Sequence, residues 1–187
     1  NPFDFSLKSY NGKNNLAEHI QDLTEIISLL VGSLNSEERA VVDKALIETY
    51  KKIRITMRRK RFAKDQKFPL LKDFYKTLKK MKQKDICDRL ERFVTGSLST
   101  VFDGQTNVNL DNRLVVFDIK DLDESLRQIM ILATANFVHS QVKADPQKRI
   151  LVIDEAWILL QHEESARFLA GLVRRARKHY LGVTLIS

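Results

Sequence analysis

Apolar residues recur every three or four positions through the first half of the chain and gather into short unbroken runs in the second. The two halves therefore predict different architectures. Ile20, Leu23, Ile27, Leu30 and Leu34 share one face of a helix that closes near Gly32 and Asn35. Ser36 reads as the N-cap of the next helix, with Glu37 and Glu38 in the first turn, where acids suit the helix dipole. Val42, Leu46, Tyr50, Ile53 and Met57 carry that second, longer stripe. Pro69 suits the first turn of a third helix, on which Leu71, Phe74, Leu78 and Met81 share a face; Ile86, Leu90 and Phe93 mark a fourth, closing near Gly96. Consecutive helices of this kind predict a helical subdomain.

After Gly96 the stretch 97–110 is polar and turn-like, and Leu114-Val115-Val116-Phe117 then reads as a buried strand. A helix over about 122–142 turns Leu126, Ile129, Ala133 and Phe137 inward and breaks at Asp145-Pro146. Ile150-Leu151-Val152-Ile153 forms a second strand, continuous enough in apolar residues to predict burial on both faces. A helix over about 163–179 and a third apolar strand over 181–187 follow. Alternating strands and helices predict an α/β fold with a parallel sheet and right-handed crossovers, although three strands are too few for a complete doubly wound domain.

The candidate chemistry sits where the second strand ends. Asp154 and Glu155 fall at its carboxyl end, which is where ligands of open α/β sheets bind, so the run reads as a Walker B strand. Successive strand side chains point oppositely, so one carboxylate can face a Mg²⁺ shell and the other the water that attacks a γ-phosphate. Taken alone, the acidic pair suits a turn or a helix cap equally well. Trp157 reads first as a packing residue wedged behind the strand. Arg174, Arg175, Arg177 and Lys178 lie near a helix C-terminus, where cations complement the dipole, yet the dipole accounts for one or two of them and not for four.

Charge sharpens the division of the chain. The net charge is +8, but residues 51–84 hold fifteen Lys or Arg against Asp65 and Asp73 alone, so this stretch carries +13 and the remainder −5. Such a stripe suits a nucleic acid, an acidic surface or a merely solvated helix face. Arg58-Arg59-Lys60-Arg61 lacks the interleaved aromatics of base stacking, so sequence readout is not indicated. The 43% hydrophobic content suffices for a packed core, and no apolar run approaches the roughly 18 residues of a membrane span. Cys87, the only cysteine, reads as a core thiol in a reducing compartment, and His19, His139, His162 and His179 show no ligand spacing.

A nucleotide site also needs a glycine-rich phosphate loop, and no GxxxxGK[ST] occurs in the chain; Gly12-Lys13-Asn14 departs from that pattern and reads as a turn. Other segments nevertheless carry a resemblance. Asn1-Pro2-Phe3-Asp4-Phe5, Phe102-Asp103-Gly104, Val115-Val116-Phe117-Asp118, Leu151-Val152-Ile153-Asp154-Glu155-Ala156-Trp157, Arg174-Arg175-Ala176-Arg177-Lys178 and Gly182-Val183-Thr184-Leu185-Ile186-Ser187 resemble the conjugative-transfer and type IV secretion ATPases. These are additional-strand P-loop motors of the VirB, TraC and TrbE type, related to HerA and FtsK. The resemblance implies a RecA-like P-loop core with a parallel sheet and an inserted all-α subdomain. Residues 1–15 would then form the edge of the nucleotide-binding core, 16–96 the inserted helical subdomain and 97–187 the core segment with Walker B. It further implies an ATPase that binds ATP and Mg²⁺, with Asp154 orienting the metal through water and Glu155 polarising the attacking water. Arg177 or Arg174 would be offered to nucleotide across a subunit boundary. The implied partners are further copies in a homohexamer, other secretion components at the inner membrane, and DNA against the basic helices. The implied location is cytoplasmic, peripheral to the inner face of the bacterial inner membrane. The missing Walker A, and the missing glutamine that the family places just after Ser187, imply a fragment inactive by itself. The remaining alternative is a nucleic-acid-binding helical module without ATPase activity.

Overall fold

The computed structural model describes residues 1–4, 16–57, 67–102, 104–106, 112–144, 147–161 and 163–186. Arg58, Arg59, Lys60 and Arg61 lie outside the described residues, as do Asn11-Gly12, Asp103, Asp145-Pro146 and Ser187. The chain divides into two compact units, Asn1–Val108 and Asn109–Ser187.

The first unit contains α1 (Leu16–Val31), α2 (Ser36–Lys52), α3 (Leu71–Lys80), α4 (Lys84–Val94) and the single turn α5 (Ser99–Phe102). Ile20, Leu23 and Ile27 of α1, Leu46 and Tyr50 of α2, Phe74 and Leu78 of α3 and Leu90 of α4 are all but inaccessible to solvent and make one core. Phe3 joins it, its ring centroid 6.1 Å from that of Phe74 and 6.4 Å from that of Tyr50. Arg89 of α4 donates to the carbonyls of Val31 and Ser33 at 3.3 and 3.1 Å and to the carboxylates of Glu38 and Asp85. One guanidinium thereby caps the end of α1 and ties it to the start of α2. Gln105 grips the strand-like segment before α3, exchanging hydrogen bonds with the Phe68 backbone at 3.2 and 2.8 Å.

Two expectations shift at helix ends. The N-cap of α2 is Asn35 and not Ser36: the Asn35 side chain accepts from the Glu38 amide at 2.9 Å, and the Glu38 carboxylate accepts from the Asn35 amide at 2.8 Å. Asn caps as well as Ser does, and only Asn35 has Glu38 three residues on to close the capping box. The α2 stripe also stops short of Met57. Arg54 takes a left-handed φ of 61°, which ends the helix, and Met57 lies beyond it, exposed.

The second unit contains α6 (Glu124–Ala144), β1 (Arg149–Ile153), α7 (Glu163–Ala176) and β2 (Leu181–Leu185). The strands pair in parallel, Arg149 opposite Leu181 through Ile153 opposite Leu185. Val138 and Val142 of α6, Ala176 of α7, and Leu151, Leu181 and Val183 of the strands cluster on one side of the sheet. This corrects the expectation of burial on both faces: Ile150 is 76% and Val152 54% exposed, so β1 alternates. An apolar side chain can stand in a run without both faces being covered. The strand expected at Leu114–Phe117 is likewise absent. That segment joins no ladder among the described residues, and Leu114 is 80% exposed. Apolar, β-branched composition favours extended backbone, whereas a strand also needs a neighbour to bond.

Candidate functional site

The carboxyl end of β1 is shaped by bonds to the end of β2. The Ile186 amide donates to the Ile153 carbonyl at 2.9 Å, and the Ala156 amide donates back to the Ile186 carbonyl at 2.9 Å. Asp154 and Glu155 form the turn between these two bonds, both exposed. Because β1 ends at Ile153, strand alternation does not direct the two carboxylates, contrary to expectation. Glu155 instead adopts a left-handed conformation, φ 54° and ψ 35°, a region that an L-residue with a Cβ enters at a cost. Its amide donates to Asp154 Oδ1 at 2.9 Å, leaving Oδ2 of Asp154 outside this contact.

A 3₁₀ turn, Ala156–Leu160, follows and anchors the site from behind. Ala156, Ile158 and Leu159 are buried, and the Leu159 carbonyl accepts from Ser165 Oγ at 2.7 Å. Ser165 in turn accepts from Gln128 Nε2 at 3.0 Å, so α6 and α7 both hold the turn. Trp157 and Leu160 are the exposed residues within it. Trp157 is 44% exposed, and its indole N–H donates to Glu155 Oε2. Sequence reasoning took Trp157 for a packing residue; the available signal was an N–H donor two positions after a carboxylate in a turn.

The basic cluster of α7 is not brought to these carboxylates. Arg174 and Arg175 occupy the last turn of α7, and Arg177, Lys178 and His179 form a 3₁₀ turn that leads directly into β2. Arg174 Nε donates to the Ala170 carbonyl at 3.4 Å, and Arg177 is exposed. The Arg149 amide donates to the Tyr180 carbonyl at 3.1 Å, which fixes this turn beside the amino end of β1. Five residue steps, on the order of 17 Å at 3.3 Å per residue, separate Arg149 at that edge from Asp154.

In the helical unit, a groove of about 430 Å³ opens between the end of α2 and α3. It is lined by Thr49, Lys52, Asp73, Lys76, Lys79 and Lys80. Buried hydroxyls of Thr49 and Thr77 meet at 2.9 Å, and Lys52 Nζ donates to Thr77 Oγ1 at 2.6 Å. The signal for this groove was Lys76, Lys79 and Lys80 at helical spacing.

Among the described residues no three His, Cys, Asp or Glu side chains converge to cage a metal. Asp154 fits a different mode: an exposed carboxylate with one oxygen outside its local bond suits a Mg²⁺ held mostly by water and phosphate oxygens.

The sequence profile of the TraG P-loop domain matches residues 32–187. The chain belongs to the TraG P-loop domain family. Its family is therefore that of the conjugative-transfer and type IV secretion ATPases. Among solved structures, this TraG P-loop chain is similar to VirB4 of Thermoanaerobacter pseudethanolicus, with a TM-score of 0.81 and 28% identity over 91% of the chain and 49% of that protein. It thus spans about half the length of that relative. No curated protein matches it.

Proposed function

We propose that the chain is the Walker B-bearing part of an ATP-hydrolysing motor that energises conjugative DNA transfer or type IV secretion. The observation that carries this reading is the exposed Asp154-Glu155 turn, pinned between β1 and β2 at the carboxyl edge of a parallel sheet. In this reading the second unit belongs to a RecA-like core, and residues 16–96 form an all-α subdomain inserted into it. The phosphate loop that the 187 residues lack is supplied by other sequence of the same protein.

Asp154 would hold Mg²⁺ through the water of its shell. Glu155 accepts the proton of the attacking water. Mg²⁺ held there with ATP would neutralise charge on the phosphate oxygens. Arg177, and Arg174 one turn before it, belong to the opposite edge of the sheet, so they serve the nucleotide of a neighbouring copy in a homohexamer. The motor works in the cytoplasm against the inner face of the inner membrane, beside other secretion components. Among the described residues no helix is long and apolar enough to cross a membrane. In the complete protein, Glu155→Gln lowers ATP turnover by roughly 10²–10⁴ while nucleotide still binds. Turnover at the wild-type rate would remove Glu155 from the reaction.

The lysine groove favours a second activity, contact with a nucleic-acid backbone through the helical unit. Lys52, Lys76, Lys79 and Lys80 surround it against Asp73 alone. Binding of duplex DNA then weakens with salt by about −0.9 in log–log slope per phosphate neutralised. Lys76→Glu with Lys80→Glu flattens that slope; an unchanged slope would place the contact elsewhere.

A further inference from the structure

Trp157 and Leu160 are the exposed residues of their turn, and of the two only Trp157 carries a side-chain hydrogen-bond donor. Ala156, Ile158 and Leu159 supply the buried side of the 3₁₀ turn, and Trp157 stands 44% exposed with its indole N–H on Glu155 Oε2. An indole N–H can donate but not accept, so it cannot replace a base; it can only fix where a carboxylate points. Glu155 needs such fixing. Its backbone is held by the Ala156–Ile186 and Ile186–Ile153 bonds, but these end at the main chain and leave an exposed side chain free to rotate. The left-handed backbone of Glu155 turns its side chain back over the start of the following turn, where the indole meets it.

We propose that Trp157 is a positioning residue: its indole N–H holds Oε2 of Glu155 so that Oε1 is presented to the attacking water. This rests on the assignment of Glu155 as the base. The group held is the one whose orientation matters most, since displacement of a base by about 1 Å can cost roughly 10²-fold in rate. A hydrogen bond to a charged group, weakened here by exposure, corresponds to about a tenfold effect.

Two measurements test the proposal. Trp157 is the only tryptophan of the 187 residues, so the intrinsic emission of this chain reports its surroundings. Glu155→Ala shifts that emission toward a water-facing indole, whereas identical spectra would mean that the contact does not exist. In the complete protein, Trp157→Phe keeps the ring but removes the donor, and lowers kcat by about tenfold at unchanged KM. Adding Trp157→Phe to Glu155→Gln then causes no further loss, because the indole acts only through the carboxylate. A kcat at or above the wild-type value for Trp157→Phe overturns the proposal, as does a change in KM alone or a second loss in the double variant. If Glu155→Gln itself leaves turnover intact, the assignment of the base has failed. The emission shift then still decides whether the contact is real.

Discussion

At the residue scale the helical unit turns on Tyr50. Its phenol is wholly buried, donates to the Phe3 carbonyl at 2.7 Å and meets His19 Nε2 at 2.9 Å. Since the one phenolic proton goes to Phe3, His19 is the donor of its pair. Burial raises the Tyr50 pKa well above the ordinary 10.0. Above about pH 10 the unfolded chain releases this proton while the folded chain keeps it, so stability falls as the pH rises past that point. Urea melts at neutral and strongly alkaline pH should show this slope, and Tyr50→Phe should reduce it while costing about 1 kcal/mol per lost hydrogen bond near neutrality. Cys87 behaves in parallel. Burial raises its thiol pKa, and the thiolate is the reactive form, so alkylation should be slow in buffer and fast in denaturant. Fast labelling of the folded chain would contradict this. That Cys87 packs in a helix was legible from Ile86 and Leu90 beside it. That Trp157 holds Glu155 was not, because composition does not show a left-handed φ.

At the element scale, periodicity located α1 to α4, α6 and α7, and it failed where an element needs a partner or a cap. Met57 continues the spacing of α2, but the left-handed Arg54 stops the helix first. Leu114–Phe117 has the residues of a strand and joins no ladder among the described residues, since hydrophobicity favours extension without naming a neighbour. The true caps are testable. Asn35→Ala should cost about 1 kcal/mol in thermal or urea unfolding, and Ser36→Ala much less. Gly96 closes α4 at a point where an added Cβ would lie 2.8 Å from Arg92 Cα. Gly96→Ala should therefore destabilise the chain by more than the usual helix-end substitution, because backbone has to move; an unchanged melting temperature would show that it moves easily.

At the scale of the whole molecule, the carboxylates and the arginines occupy opposite edges of one parallel sheet. The acidic turn at the end of β1 was legible, because an unbroken apolar run ending in two acids is a local pattern. The separation was not, since it depends on which strand end α7 leads into. If Arg177 serves a neighbour, Glu155→Gln and Arg177→Ala copies of the complete protein should each be inactive alone. Mixed equally, they should recover about a quarter of the sites, as expected for a head-to-tail interface. The open side of the sheet has a more practical outcome. Ile150, Val152 and Ile186 are solvent-facing, on a ladder that has two strands among the described residues and whose outer edges carry backbone donors and acceptors. A purified sample of this chain should therefore have a low concentration ceiling, clouding through strand-to-strand association and sooner in sulfate than in chloride, despite its surplus of positive charge.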